Sequence, residues 1–149
     1  MQLKTHLAIT VFAIILFFPI VNNPVLFAIV ALFATFIPDM DTPFTKIGNK
    51  KISKVAQVFT SHRGFIHSLT FCLLISILLA VFIPILAFSF FLGFSLHLLA
   101  DSFTKMGITP FWPYSRKAQG VLNTGGVVEK GIFFIFIFLD LLFVMAYLF

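Results

Sequence analysis

The sequence predicts an all-α, polytopic membrane protein of about five helices, forming a single domain over residues 1–149. The chain is 60% hydrophobic and 10% charged, with a mean hydropathy of +1.12, whereas soluble domains carry about 25% charged residues. Long apolar runs also alternate with short polar stretches. Because so few polar side chains are available to cover a water-exposed surface, the lipid bilayer is the expected solvent.

Two short apolar runs near the start of the chain predict a helical hairpin. They cover residues 7–20 and 24–37, with Pro19 and the Asn22-Asn23 pair between them. Each run is shorter than the roughly 20 residues that a helix needs to cross a bilayer. The hairpin is therefore expected to tilt or to cross only part of the membrane. A signal peptide is disfavoured because no A-x-A-like cleavage site follows the first run.

Three further helices are predicted in the rest of the chain. Residues 65–100 form one apolar run that is long enough for two helices, and Pro84 is the expected break between them. Residues 131–149 form the last run, which is apolar except for Asp140. In the polar stretch before residue 65, an amphipathic helix at the membrane interface is predicted from the spacing of Ile47, Ile52, Val55 and Val58.

The distribution of basic residues predicts the orientation of the chain. All ten Lys and Arg lie at Lys4 or in the polar stretches 38–64 and 101–130. Basic residues mark cytoplasmic loops, so we expect a multi-pass protein of the bacterial inner (plasma) membrane with its N-terminus and both long loops in the cytoplasm. The same bias accounts for the net charge of +5. Nucleic acid is not expected as a partner, since no basic helix or aromatic-basic pattern is present.

Ionisable residues that can bind metals gather on the predicted cytoplasmic side. His97 and Asp101 are four residues apart and share one helix face, and imidazole and carboxylate are both zinc ligands. Asp39 and Asp41 would point the same way on an extended or turn segment. All four histidines and four of the five acids lie on this side. The proposed ligand set is His6, Asp39, Asp41, His62, His67, His97 and Asp101.

Each of these residues also fits a simpler role when it is taken alone. Asp39 and Asp41 fit a polar turn, and His6 fits a solvated helix start. Arg63 fits either a cytoplasmic anchor or a group that holds an anion such as phosphate. A bend at Gly64 would be needed to bring His62 and His67 together. Ser68 is expected to cap a helix rather than to act as a nucleophile.

The order of these motifs resembles the YdjM-like family. The matching residues are His6, the P-D-M-D run 38–41, the H-R-G-F-I-H-S run 62–68, the H-L-L-A-D run 97–101, then Thr104, Pro110 and Trp112-Pro113 and, before the last helix, Glu129. Members are associated with the inner membrane, and metal-dependent hydrolase activity is attributed to them. The resemblance extends over nearly the whole chain, and Ile66 stands where Thr is usual. More remotely, the order is similar to that of zinc-dependent phospholipase C and single-strand nucleases, which are helical enzymes that cleave phosphodiesters.

The leading hypothesis is therefore a metal-dependent hydrolase with its site at the cytoplasmic face. Zinc is the expected ion and manganese the alternative. Water would be the nucleophile, with Asp41 or Glu129 as the base and Arg63 stabilising the developing negative charge. We expect membrane lipid as a partner and a phosphoester of a lipid or lipid-linked molecule as substrate; the oligomeric state is not predicted. The alternatives are a metal or proton transporter that uses the same cluster and a small structural, holin-like membrane protein.

Overall fold

Five long helices account for most of the structure. The computed structural model describes residues 1–41 and 63–149, and within these ranges it contains no β-strand beyond two isolated bridges. The helices are α1 (Leu3–Phe17), α2 (Pro24–Phe36), α3 (Leu69–Phe82), α4 (Pro84–Ser102) and α5 (Val127–Leu148). The predicted all-α class with about five helices is confirmed. The amphipathic helix expected around residues 47–58 lies outside the described residues.

Proline and serine set several of the helix boundaries. Pro24 and Pro84 each begin a helix, where a missing N–H costs nothing because the first helical N–H groups have no partner. The single residue Ile83 separates α3 from α4, so the predicted break at Pro84 is confirmed. Ser68 caps α3 by accepting a hydrogen bond from the backbone N–H of Phe71 at 3.1 Å, as predicted.

Two helices begin earlier than the apolar runs indicated. α1 begins at Leu3 rather than at Leu7, and α5 begins at Val127 rather than at Gly131. The added turns contain His6 and Glu129, both of which are buried against the bundle. An apolar run ends at the first polar residue. The helix itself can include that residue when its side chain is buried against another helix.

α5 has the inside-out pattern expected of a helix that faces lipid. Its two buried residues are acids, Glu129 and Asp140, while Phe134, Phe138 and Leu141 on its surface are exposed. α4 and α5, with 19 and 22 residues, are long and apolar enough to cross a membrane. α1, α2 and α3 are apolar but shorter, in line with the short hairpin predicted for residues 7–37.

Contacts along the helices show that neighbours in sequence alternate in direction. Thr10 of α1 meets Thr35 near the end of α2, and Cys72 near the start of α3 meets Phe91 of α4. Both pairs are antiparallel. α2 and α4 run parallel, because Ala31 approaches Gly93 while Thr35 contacts His97. α5 runs parallel to α1, because Thr5 contacts Glu129 while Phe12 contacts Phe136. As a result, the start of α1, the end of α2, the start of α3, the end of α4 and the start of α5 all lie at one end of the bundle.

The closest packing in the bundle is between α2 and α4. A Cβ atom at Gly93 would lie 2.0 Å from the carbonyl oxygen of Ala31, so only glycine allows this approach. The hydroxyl of Thr35 donates to the Ala31 carbonyl at 2.9 Å and lies 2.9 Å from the hydroxyl of Thr10, which brings α1 into the same contact. Small residues and hydroxyl bonds of this kind are typical of helix interfaces in membranes.

Gly93→Ala should destabilise the protein, because the added methyl group meets rigid backbone. We expect a loss of roughly 1–3 kcal/mol, the usual cost of overpacking. Gly131→Ala is the matched control, since it is also a helical glycine but nothing lies within 4 Å of its added Cβ. Thermal unfolding in detergent should show a lower midpoint for Gly93→Ala only. Equal midpoints for the two variants would contradict the described α2–α4 contact.

Candidate metal centre

The clustered end of the bundle brings together five of the predicted metal ligands. His6 is in the first turns of α1, and Asp39 lies just beyond α2. His67 comes immediately before the cap of α3, and His97 and Asp101 are in the last turns of α4. Four segments that are distant in sequence therefore each contribute a side chain to one place.

The ligand atoms form two overlapping groups. In His6, Asp39 and His97 they all lie within 4.8 Å of one another, and so do those of His67, His97 and Asp101. His97 Nε2 is 3.5 Å from Asp101 Oδ2 and 3.8 Å from Asp39 Oδ1. Two atoms that bind one zinc ion at about 2.1 Å each lie at most about 4.2 Å apart, so these separations suit a shared cation.

His97 is oriented by the backbone of α2. Its Nδ1 lies 2.9 Å from the carbonyl oxygen of Thr35. A carbonyl only accepts hydrogen bonds, so Nδ1 must carry the hydrogen. In the neutral ring, Nε2 is then left with its lone pair directed toward Asp39 and Asp101. A metal-binding histidine is commonly held in this way, with its other ring nitrogen bonded to a carbonyl or carboxylate.

His6 is buried beside His97 with both of its ring nitrogens unsatisfied. The two rings stack with centroids 3.9 Å apart and an angle of 8°. Within the described residues, neither nitrogen of His6 nor Nε2 of His97 has a hydrogen-bond partner. His6 Nε2 approaches Asp101 Oδ1 to 3.2 Å but without hydrogen-bond geometry. Each unsatisfied buried polar group costs about 1–3 kcal/mol, and a cation bound by one nitrogen of each ring would remove part of that cost.

Asp101 already attracts positive charge in this structure. Its Oδ1 contacts the amino nitrogen of Met1, while its Oδ2 faces His97. The side chain is only 16% exposed, and a buried carboxylate needs a counter-charge. Imidazole nitrogens and carboxylate oxygens together are the ligand chemistry of zinc and of similar divalent ions. The described donors therefore fit the divalent metal that the sequence predicted.

Three predicted site residues fall partly or wholly outside what the structure describes. His62 lies outside the described residues. Asp41 and Arg63 are described by their backbone alone, within a 3₁₀ turn (Ile37–Asp41) and a one-turn helix (Arg63–Ile66). Of the two backbone forms expected for Asp39 and Asp41, extended or turn, the structure has the turn, a 3₁₀ helix over Ile37–Asp41.

Glu129 is used as an acceptor for the start of α1 and is not in either ligand group. It accepts hydrogen bonds from the backbone N–H groups of Gln2 and Gly125, each at 2.5 Å, and from the Thr5 hydroxyl at 3.0 Å. These contacts tie the start of α1 to the start of α5. Through Thr5, Glu129 holds the residue next to His6; its predicted role as a base stays a prediction.

An open cleft of about 390 Å³ adjoins the cluster. Asp39, His67 and Asp101 line it together with residues of the 103–126 segment, among them Thr104 and Lys117. Ligand pockets usually measure about 300–1,000 Å³. No motif in the sequence marks Lys117. It lies in the polar stretch 101–130, whose first residue is the predicted ligand Asp101.

Asp140 lies apart from both ligand groups. It is buried, and its Oδ1 has no hydrogen-bond partner within the described residues. It shares one face of α5 with Phe136 and Phe143, both of which pack edge-on against Phe12 of α1. Asp140 therefore faces α1 within the bundle.

Comparison with known proteins agrees with the resemblance seen in the motifs. The YdjM inner membrane protein family matches residues 1–149. Uncharacterized protein YvsG of Bacillus subtilis (strain 168) is 34% identical over 114 residues, which is 72% of this chain and 71% of that protein. Inner membrane protein YdjM of Escherichia coli (strain K12) is 41% identical over 93 residues, 56% of this chain.

The aligned region covers 47% of the Escherichia coli protein, and the Shigella flexneri YdjM protein gives the same values; the chain spans about half the length of these two relatives. No solved structure matches the chain, so the similarity to zinc-dependent phospholipase C stays a prediction. The family match over the full 149 residues, together with two helices that are long and apolar enough to cross a membrane, establishes that the chain belongs to the YdjM inner membrane protein family.

Proposed function

We propose that the protein is a metal-dependent hydrolase whose site lies at the clustered end of the bundle. The observation that carries the proposal is the buried, stacked pair of His6 and His97. Three of their ring nitrogens have no hydrogen-bond partner within the described residues, and the Nε2 atoms of both rings lie within 4 Å of an aspartate oxygen. A merely structural pair of histidines would be expected to satisfy these atoms.

The described residues divide into those that would hold the metal and those that position them. His6, Asp39, His67, His97 and Asp101 would supply the ligands. When bound, a divalent ion supplies Lewis-acid activation of water and of a phosphoryl oxygen. The Thr35 carbonyl would position His97. Glu129 would position the start of α1, which carries His6.

A carboxylate beside the cleft is needed to accept the proton of the attacking water. Asp39 lines the cleft and its side chain is 33% exposed, so it can reach water there. Asp41, two residues further along the same 3₁₀ turn, remains the base proposed from the sequence, and Arg63 the proposed anion-stabilising group. The proposed substrate is a phosphoester of a lipid or lipid-linked molecule, in keeping with a site at the end of membrane helices.

The packing of the bundle favours a hydrolase over a transporter. From the site, buried hydroxyls continue inward through Thr35 to Thr10. Beyond them Ile14, Phe27 and Ala31 form a buried apolar cluster. A translocation pathway for a metal or proton requires a continuous series of polar groups through the membrane. Beyond the hydroxyls, α1 and α2 place apolar side chains, and the buried Asp140 of α5 lies apart from both ligand groups.

Metal binding should depend on the buried ligands. Purified protein reconstituted with zinc should retain about one or more ions per chain by mass spectrometry, and His97→Ala and Asp101→Asn should each lower that content to near zero, because each removes a donor from the cluster. Ser102→Ala is the control. Ser102 follows Asp101 at the end of α4, but it is in neither ligand group, and its hydroxyl donates to the Leu99 carbonyl. Undiminished zinc in the His97 and Asp101 variants would contradict the proposed site.

Catalysis and metal retention should be lost together. A screen of phosphodiester and lipid-phosphate substrates should give metal-dependent hydrolysis that a chelator abolishes and zinc or manganese restores. Ser102→Ala should hydrolyse at the wild-type rate and His97→Ala at least about a hundredfold more slowly. Hydrolysis that survives both the chelator and the substitution would show that another site carries the activity.

The site is proposed to face the cytoplasm, because the stretches that carry the basic residues flank it. A periplasm-active reporter fused after Phe149 should be active, and the same reporter inserted after Gly120, in the segment between α4 and α5, should be inactive. A cytoplasm-active reporter should give the opposite pair of results. The reversed pattern would place the site in the periplasm.

A further inference from the structure

The cleft beside the metal centre contains one lysine and no arginine among the described residues that line it. Its acids are Asp39 and Asp101, its lysine is Lys117, and the Met1 amino group, which also lines it, contacts Asp101. Lys117 is exposed and lies on the 103–126 segment, whereas the acids belong to the ends of α2 and α4. The cleft therefore places a positive charge beside a site whose own side chains are negative.

The backbone next to Lys117 is held by hydrogen bonds to another part of the 103–126 segment. The next residue, Ala118, exchanges two backbone hydrogen bonds with Ile108, each at 2.9 Å. Gly107 makes the turn before this pair with a φ of 61°, and a Cβ there would lie 2.4 Å from the Ala118 carbonyl oxygen. Such a position suits only glycine, so the segment has a defined conformation beside Lys117.

The same segment is joined to the helix that follows His67. The carbonyl of Pro110 accepts hydrogen bonds from the backbone N–H groups of Leu69 at 2.8 Å and Thr70 at 3.2 Å. At the other end, the Thr104 hydroxyl donates to the Asp101 carbonyl at 2.7 Å. The wall that carries Lys117 is therefore tied to the two elements that carry His67 and Asp101.

We propose that Lys117 binds the phosphate group of the substrate and so selects phosphorylated headgroups for the site; this inference rests on the proposed hydrolase function. One divalent ion and the Met1 amino group together exceed the two aspartates by one positive charge, so a doubly charged phosphate group needs a further positive charge. A lysine ammonium is a mobile point charge that suits phosphate. The cleft of about 390 Å³ accommodates a phosphorylated headgroup, while the acyl chains of a lipid substrate would remain in the bilayer.

The test measures phosphate binding separately from metal binding. Wild type, Lys117→Met and Lys117→Arg are loaded with zinc, and the affinity for inorganic phosphate is measured by calorimetry. We expect Lys117→Met to weaken phosphate binding about tenfold or more, as for the loss of a charge-assisted hydrogen bond, with the zinc content unchanged. Lys117→Arg should restore most of the affinity. Lys105→Met is the matched control, because Lys105 lies on the same segment but does not line the cleft.

Two further arms distinguish the source of the phosphate. Nanodiscs with phosphatidic acid in phosphatidylcholine are compared with soluble glycerol phosphate, and Lys117→Met should weaken the binding of whichever is the better ligand. Equal phosphate affinity in wild type and Lys117→Met, or an equal loss in Lys105→Met, overturns the role of Lys117 and leaves the hydrolase proposal standing. Wild-type protein that takes up no zinc overturns the hydrolase proposal. The role of Lys117 is then decided by the phosphate affinities of metal-free wild type and Lys117→Met, and equal affinities overturn it.

Discussion

The hydrogen bond from His97 to the Thr35 carbonyl is the interaction on which the candidate site depends. It links α2 to α4 at 2.9 Å and leaves His97 Nε2 for the cluster. The bond requires a close approach of the two helices, and that approach requires glycine at position 93, where a Cβ would meet the Ala31 carbonyl at 2.0 Å. The orientation of His97 therefore depends on the close contact between α2 and α4 at Gly93.

The remaining geometry follows from an inverted distribution of polarity. On α5 the exposed residues are apolar and the buried ones are acids, which is the pattern expected when lipid is the solvent. Polar groups then gain most from lying at the helix ends. Because neighbouring helices alternate in direction, five helix ends meet at one place. There, Glu129 secures the start of α1 through Gln2 and Thr5, and α1 carries His6 against His97.

The sequence predicted the helices and the clustering of ligands because both depend on local pattern. Apolar runs and Pro84 were enough for the five helices, and Ser68 was identified as a cap. The starts of α1 and α5, at Leu3 and Val127, were predicted too late in the sequence. Hydropathy does not show that a polar residue will be buried against another helix. The backbone of Asp39 and Asp41 could not be chosen between extended and turn, because the P-D-M-D run fits either form, and the structure has a 3₁₀ turn there.

Other features depend on contacts between distant segments and had no local signal. The pairing of Glu129 with Gln2 spans 127 residues, and hydrogen bonds between residues 103–126 place Lys117 beside the cleft. The stacking of His6 on His97 likewise needs the packed helices. Periodicity shows which residues share a face of one helix; it does not show which faces meet across three helices.

X-ray absorption spectroscopy at the zinc edge of the reconstituted protein is the most direct test of a buried histidine–aspartate centre. We expect a first shell of nitrogen and oxygen atoms at about 2.0–2.1 Å with outer-shell scattering from at least two imidazole rings, and we expect the imidazole signal to fall in His97→Ala. Sulfur ligation is not expected, because the single cysteine, Cys72, is buried in the apolar core. A shell of water oxygens without imidazole scattering, unchanged by the substitution, would contradict the centre.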